Sequence, residues 1–152
     1  MHTYKLTSKQ FLPIDRQRAW DFFSSPRNLA LITPKRMNFK ILSISGDKMH
    51  PGQIIKYKIT VLPFVRMYWE TEITEVNEYY SFTDVQREGP YSYWSHKHIF
   101  NDVKHGIEMV DELEYAIPLG LAGKLAHVVF VEREVKNIFK YRFQVLQELF
   151  KN

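Results

Sequence analysis

Residues 94–115 read WSHKHIFNDVKHGIEMVDELEY and predict two antiparallel strands joined by a turn near residues 101–106. Charged and apolar side chains alternate in half-buried strands. The solvent-facing positions are therefore marked by Lys97 on the first strand and by the glutamates on the second. The inward positions are then Trp94, His96, His98 and Phe100 on the first strand and Met109, Asp111 and Tyr115 on the second. A carboxylate buried without partners costs several kcal/mol or shifts its pKa. Ionisable groups on this face therefore predict a mutual network or a cavity.

The same two-residue period predicts five further strands before this segment. They are residues 3–12, 39–44, 53–62, 66–76 and 79–90. On the last three of these strands, the inward-pointing residues are Tyr57 on the first, Trp69 on the second, and Phe82, Asp84 and Gln86 on the third. Strands that follow one another through short turns predict an antiparallel meander.

Helical patterns lie on both sides of this run of strands. Asp15 is expected to cap a short helix that ends at Pro26, because the residue before a proline disfavours the helical region. A second short helical segment ends before Pro34. Residues 122–150 predict one amphipathic helix of about seven turns, with apolar residues every three or four positions. Its stripe is Leu125, Val128, Val131, Val135, Ile138, Phe139, Arg142, Val145, Leu146 and Leu149. Arg142, the charge within that stripe, either extends to its edge or faces a carboxylate.

The order of these elements predicts an α+β fold of two layers. One strand, two short helices, six strands and a long helix leave one apolar sheet face and one apolar helix stripe, which must bury against each other. The expected architecture is a curved seven-stranded antiparallel sheet wrapped around the long C-terminal helix. With 152 residues the chain is expected to form one domain, residues 1–152.

Three stretches carry a resemblance to a known superfamily. Residues 12–34 (LPIDRQRAWDFFSSPRNLALITP), 82–100 (FTDVQREGPYSYWSHKHIF) and 109–120 (MVDELEYAIPLG) resemble the START-like, or SRPBCC, helix-grip superfamily. The last two are similar to its bacterial polyketide cyclase/dehydratase-like branch, whose members are mostly described only as ligand-binding domains. The resemblance implies a hydrophobic cavity between the long helix and the concave face of the sheet.

Composition removes several classes of function. The chain has no cysteine, which excludes disulfide scaffolds, thiolate metal sites and cysteine nucleophiles. Its net charge of +4 is scattered among acidic residues, whereas nucleic-acid binders usually concentrate basic residues in one patch. No stretch approaches the roughly 20 apolar residues of a membrane span, and the N-terminus lacks the apolar run of a signal peptide. A cytoplasmic protein is expected.

The leading hypothesis is a binding cavity for a small, largely hydrophobic molecule: a lipid, an isoprenoid or an aromatic, polyketide-like compound. Pockets of this kind are mostly apolar with a few converging polar groups. Aromatic side chains would form the walls, the polar residues would orient the ligand, and the long helix would close the cavity. The candidate ligand-binding residues are Tyr57, Trp69, Phe82, Asp84, Gln86, Trp94, His96, His98, Phe100, Met109, Asp111, Tyr115, Val131, Val135 and Phe139.

Other interpretations of the polar residues stay open. His96 or His98, oriented by Asp111, can act as the general base of an aromatic cyclase or dehydratase. The same groups can instead satisfy one another and hold the sheet in register. A third class is a non-catalytic interaction protein whose aromatics fill the cavity, and a homodimer is kept open. His-x-His with an acid on the neighbouring strand also suits Zn²⁺ or Fe²⁺. The resemblance argues against a metal here, and no metal or other cofactor is predicted.

Overall fold

The predicted strands form one seven-stranded antiparallel sheet in a computed structural model, which describes residues 1–62, 65–118 and 130–151. The strands are β1 (Tyr4–Leu12), β2 (Lys40–Ile44), β3 (Ile54–Leu62), β4 (Val65–Asn77), β5 (Ser81–Glu88), β6 (Tyr93–Val103) and β7 (Gly106–Ala116). Their order is β1-β7-β6-β5-β4-β3-β2, so β1 pairs with the last strand and the others follow the chain. The predicted fold class is confirmed. Residues 63 and 64, between the predicted strands 53–62 and 66–76, lie outside the described residues.

The pairing of β5, β6 and β7 sets the positions of the ionisable residues. Asp84 on β5 pairs with His96 on β6, and His98 on β6 pairs with Asp111 on β7. Alternate residues of a strand share one face, so these four side chains point to the same side of three adjacent strands. The hairpin between β6 and β7 turns at His105, whose φ of 68° is left-handed.

The sheet bends at irregular points in β2 and β4. The register shifts between Ile41 and Ser43 and between Ile73 and Glu75 are two such points. A bulge of this kind bends its strand and increases the local twist, which wraps the sheet around what lies on its concave face. β5 begins at Ser81, two residues later than predicted, because Tyr79 adopts a left-handed φ of 72° in the preceding turn.

Two helical segments follow β1, as the sequence predicts. Helix α1 (Arg16–Phe23) begins at Asp15, whose carboxylate accepts a hydrogen bond of 2.8 Å from the Arg18 amide. Buried Trp20 packs edge-on against Phe82 and Phe100 of the sheet. The second segment is a 3₁₀ helix (Pro26–Ile32), and a 3₁₀ turn (Lys35–Met37) follows it.

The C-terminal helix α2 (Glu132–Leu149) lies across the concave face of the sheet. Its buried residues are Val135, Phe139, Arg142 and Leu146, all predicted to share one stripe. Leu149 was predicted to lie in the same stripe, but its side chain is 45% exposed, and the neighbouring Phe150 is buried instead, with its ring against Phe22. The predicted first turns, with Leu125 and Val128, lie outside the described residues. In the described parts of the chain, no helix has the length and apolar character needed to cross a membrane.

Candidate functional site

A cavity of about 180 Å³ lies between the concave face of the sheet, the 3₁₀ segment and α2. The sheet contributes alternate residues of β3 to β6, and α2 contributes one side of its surface. Most of the lining is apolar: Phe22, Phe23, Pro26, Leu29, Ile32, Met37, Phe39, Met49, Ile55, Tyr57, Ile59, Val61, Trp69, Ile73, Phe82, Tyr91, Trp94, Val135, Ile138 and Phe139. The polar residues of the lining are Ser25, Asn28, Thr33, Thr71, Asp84, His96, His98, Glu134 and Arg142.

Four aromatic residues form what we call the aromatic wall: Tyr57, Trp69, Tyr91 and Trp94. Tyr57 stacks on Trp69 at a centroid distance of 5.7 Å, and Trp94 meets Trp69 edge-on at 5.2 Å. Tyr91 contacts both tryptophans. Such offset and edge-on pairs are each worth about 0.5–1.5 kcal/mol beyond buried area, so the wall is held rigid by its own contacts.

Two polar atoms of this wall differ in how they are satisfied. The Trp69 Nε1 donor is buried and makes no hydrogen bond with any described residue. The Tyr57 hydroxyl interacts with the Thr71 side chain, and burial together with the negative charge of Asp84 raises the pKa of Tyr57 well above its usual range. Tyr57 is therefore a neutral hydroxyl. A buried N–H without an acceptor costs about 1–3 kcal/mol, so Trp69 offers a ligand acceptor a hydrogen bond that the protein itself does not make.

The ionisable residues form what we call the polar cluster: Asp84, His96, His98, Asp111 and Arg142. His96 Nε2 donates to Asp111 Oδ1 at 2.8 Å, and His98 Nε2 donates to Asp84 Oδ2 at 2.6 Å. The two imidazole rings stack at a centroid distance of 3.8 Å. The cluster is therefore two histidine–aspartate pairs side by side, as expected if these groups satisfy one another.

Arg142, the charged residue within the apolar stripe of α2, forms a buried ion pair. Its side chain is 9% exposed, and its Nη2 lies 3.2 Å from Asp111 Oδ1, so it faces a carboxylate. Burial raises the pKa of the Asp111 carboxyl, but the Arg142 charge and the His96 hydrogen bond outweigh it and hold that pKa well below its usual range. Asp111 is therefore ionised, and this ion pair links α2 to β7.

The second pair, Asp84 and His98, is ionised on one side only. Burial raises the pKa of Asp84, but the hydrogen bond and charge of His98 outweigh it and lower that pKa below its usual range. Burial and the neighbouring His96 ring lower the pKa of His98 to about 4, although the bond to Asp84 opposes this. At neutral pH, Asp84 is thus an anion bonded to a neutral imidazole.

Nine of the fifteen predicted binding residues line the cavity. They are Tyr57, Trp69, Phe82, Asp84, Trp94, His96, His98, Val135 and Phe139. The other six do not line it among the described residues: Gln86, Phe100, Met109, Asp111, Tyr115 and Val131. Alternation along a strand predicts the face to which a side chain points but not its position relative to the cavity, and five of these six residues lie in strands.

The six residues lie in several different parts of the structure. Gln86 braces the turn before β6, where its side chain exchanges hydrogen bonds of 2.7 and 3.1 Å with the Tyr91 backbone. Phe100 packs on Phe23 in the solid core. Asp111 lies behind the histidines, and Met109 Sδ lies 3.9 Å from Arg142 Nη2. Tyr115 and Val131 belong to a second core cluster, which also contains Leu113.

Sequence reasoning missed the contribution of the segment after β1. Phe22 and Phe23 at the end of α1 close one side of the cavity together with Leu29, Ile32 and Met37 of the 3₁₀ segments. The 3₁₀ geometry that turns the last three inward leaves no clear periodic signal. Glu134 was also missed: it lines the cavity and forms an ion pair with Arg36, which ties the 3₁₀ turn to α2. Arg142 had a signal, namely a charge within an apolar stripe.

Comparisons with known proteins agree at the level of the fold. No family model matches the chain, and no curated protein matches its sequence. The Zhui aromatase/cyclase from Streptomyces sp. R1128 superposes with a TM-score of 0.76 at 10% identity, over 99% of this chain and 94% of that one. Protein CV1439 from Chromobacterium violaceum gives 0.72 at 10% identity, over 97% of both chains. Ara h 8.0201 gives 0.59 at 16% identity, over 97% of this chain and 99% of that one.

These similarities and the element order define one class of architecture. The chain has a helix-grip, START-like fold, with a curved antiparallel sheet around a C-terminal helix and short helices after the first strand. At identities of 10–16% the likeness concerns the fold, and the site has to be argued from this chain's own residues.

Proposed function

We propose that this protein binds a small, largely hydrophobic molecule with one polar end in the cavity between the sheet and α2. The observation that carries the proposal is an apolar cavity of about 180 Å³ whose lining also includes half-buried Asp84 and buried His96 and His98. Protein cores ordinarily leave few voids larger than a water molecule. A space of this size that the surrounding aromatics do not fill is typical of a ligand site.

The size of the cavity limits the ligand. An apolar cavity of roughly 150 Å³ accommodates benzene, so this cavity suits one or two rings or a short branched chain. Aromatic and isoprenoid compounds fit that description better than a long acyl chain. The aromatic wall would cover the apolar part of the ligand.

The polar groups suggest how the ligand is oriented. Trp69 Nε1 would donate to a carbonyl, hydroxyl or ether oxygen, because that donor has no acceptor among the described residues. At the polar cluster, Asp84 Oδ2 would accept from a ligand hydroxyl, since its side chain retains 20% exposure. A ligand with one acceptor and one donor on an apolar frame satisfies both.

A second function, acid–base catalysis, is favoured by the pair of His96 and Asp111. The Asp111 carboxylate fixes the ring with the proton on Nε2, which leaves the Nδ1 lone pair available. In a dehydration, Nδ1 would take a proton from the carbon beside a carbonyl and then give that same proton to the departing hydroxyl, which leaves as water. This would make the protein a cyclase or dehydratase rather than a carrier.

The first experiment is native mass spectrometry of freshly purified protein, followed by organic extraction of any bound molecule. A co-purifying aromatic or isoprenoid compound supports the proposal and identifies its chemistry. Protein carrying His96→Gln should retain the same molecule if the protein only binds it. If the variant instead accumulates a molecule heavier by one water, the dehydratase function gains the support.

A titration with the two-ring fluorescent probe 2-naphthol tests the location of the site. Ile138→Trp should fill the cavity from α2 and weaken binding about tenfold, equivalent to about 1.4 kcal/mol. Leu149→Trp is the matched control, since it adds the same ring to the same helix at a position that is 45% exposed. Equal affinities for the two variants, together with no thermal shift in a broad screen of apolar compounds, would refute the binding proposal.

A further inference from the structure

The polar cluster contains three potential metal ligands that converge on one point at the cavity surface. Asp84, His96 and His98 each offer one donor atom, and these atoms lie within 4.8 Å of one another. The Asp84 Oδ2 oxygen is 2.6 Å from His98 Nε2 and 4.0 Å from His96 Nδ1. Two atoms bound to one Zn²⁺ at about 2.1 Å in a tetrahedron are roughly 3.4 Å apart, a value between these two separations.

We propose that Asp84, His96 and His98 form a binding site for a divalent transition-metal ion, with its open coordination position facing the cavity. The proposal revises the expectation that no metal is bound. It goes beyond the proposed function and does not rest on it, although an ion would occupy Asp84 Oδ2 and His96 Nδ1, the atoms assigned above to a ligand hydroxyl and to a general base.

The carboxylate on the other side of the two imidazoles, away from Asp84, supports this assignment. Each ring turns one nitrogen toward Asp84 and the other toward Asp111. Asp111 Oδ1 lies 2.8 Å from His96 Nε2 and 3.6 Å from His98 Nδ1. Metal-binding histidines almost always donate their second N–H to a carboxylate or carbonyl, which fixes the tautomer and the ring orientation. Asp111 is placed to be that carboxylate for both rings.

The tautomers of the rings favour the same side. His96 donates from Nε2 to Asp111, so its Nδ1 lone pair already points toward the Asp84 side. His98 donates from Nε2 to Asp84, which leaves its buried Nδ1 without a hydrogen bond among the described residues. An ion between His98 Nε2 and Asp84 would replace that proton. The ring proton would then sit on Nδ1, where it can be donated to Asp111.

The balance of permanent charges also calls for a cation. Arg142 contacts Asp111 at 3.2 Å and compensates that carboxylate. Asp84 contacts the two imidazoles, neither of which carries a permanent charge. A divalent ion would compensate Asp84 and retain one positive charge for a hydroxide or an anionic ligand group.

The ligand set indicates which ions fit. Two imidazole nitrogens and one carboxylate select Zn²⁺, Fe²⁺ or Co²⁺ over Mg²⁺ and Ca²⁺, which prefer oxygen ligands. Three protein ligands leave a position for water or a substrate oxygen, as in catalytic zinc sites. All three ligands line the cavity, so that position opens into it.

The test uses untagged full-length protein, dialysed against chelator and then titrated with Co²⁺ and Zn²⁺ and no apolar ligand. We expect one ion per chain, d–d absorption bands for Co²⁺ and no binding of Mg²⁺. Asp84→Asn and His98→Gln should weaken Zn²⁺ binding at least about 100-fold, and Asp111→Asn about 10–100-fold, the range for the loss of an orienting partner. Exposed His2 and His50 supply the matched controls His2→Gln and His50→Gln, which should leave the affinity within about threefold.

A measurement on the wild type covers variants that fail to fold. Nitrogen-15 NMR of the histidine rings should show Zn²⁺ shifting His96 Nδ1 and His98 Nε2 and leaving His50 unchanged. The proposal is overturned if Zn²⁺ shows no saturable binding, or if folded His98→Gln binds it as the wild type does. Probe binding by chelator-treated protein then reports separately on the proposed function.

Discussion

The polar cluster and the aromatic wall satisfy their polar atoms in opposite ways. In the polar cluster, each carboxylate contacts a histidine, and Asp111 also contacts Arg142. In the aromatic wall, the buried Trp69 Nε1 has no acceptor in the described parts of the chain. The polar cluster is held together by ion pairing and hydrogen bonding among its members, and the aromatic wall by contacts between its rings.

This difference separates groups that stabilise the fold from groups that remain available to a ligand. A cluster whose members compensate one another loses much stability when one is removed, because the rest stay buried without partners. A donor without an acceptor can be removed at little cost to the apo protein. Stability should therefore depend mostly on the polar cluster, and affinity for an apolar ligand on the wall.

The largest expected effect follows from Arg142→Met. It removes the cation from Asp111 and leaves a buried carboxylate without its charge partner, so unfolding free energy should fall by about 3–5 kcal/mol. Urea unfolding of the wild type and the variant measures the change. Arg87→Met is the control, since its ion pair with Glu72 is partly exposed and should be worth no more than about 1 kcal/mol. Equal losses for the two variants would mean that the polar cluster is not the more stabilising region.

The next effect is a dependence of stability on pH that originates at His98. Its pKa is lowered from 6.5 to about 4 on folding, so the unfolded chain binds its proton first as the pH falls. Stability is then fully present above about pH 6.5 and decreases toward pH 4 by on the order of 3 kcal/mol. The lowered pKa values of Asp84 and Asp111 add a further loss below the usual carboxyl range. Urea unfolding across this range, in metal-free buffer, measures both.

His98→Gln should flatten the upper part of this pH dependence, because glutamine does not titrate. His50→Gln, at an exposed position, should leave it unchanged. A slope in His98→Gln as steep as that of the wild type would place the titrating group elsewhere.

The smallest expected effect on stability concerns the aromatic wall. Trp69→Phe removes some ring contact but also a buried N–H without an acceptor, so unfolding free energy should stay within about 1 kcal/mol of wild type. The same variant should lose about tenfold in affinity for the extracted ligand, the value of roughly one hydrogen bond. Trp20→Phe, at a tryptophan in the solid core, should show the reverse, with a loss of stability and unchanged affinity. If Trp69→Phe lowers the unfolding free energy as much as Trp20→Phe does, the aromatic wall contributes to stability like the solid core.

The fold was largely predictable because its signals are local. Alternation in β3 to β7 shows which residues face inward, and Asp15 and Pro26 mark the limits of α1 and its connection. The period of α2 identified Val135 and Phe139 as buried. The segment from Pro26 to Met37 was harder, because short 3₁₀ helices take their conformation from the contacts around them.

The candidate site was predictable in chemistry but only partly in geometry. Sequence placed two histidines and two aspartates on one face, and pairing brings them together. It also placed Phe100 and Tyr115 in the cavity, where the structure has them in solid core. Whether an inward residue borders a void depends on what the opposite layer places above it, and that layer comes from distant parts of the chain.

The sequence by itself determined the α+β class, the antiparallel succession of β2 to β7 and the inward direction of the ionisable residues, because these depend on short turns and on periods within single strands and helices. Tertiary structure decided that Arg142 contacts Asp111, 31 residues earlier in the chain. It also decided that Asp84 and Asp111 lie on opposite edges of the same two imidazoles. These distances depend on how the curved sheet and α2 pack, and packing sums many contacts between residues far apart in the chain.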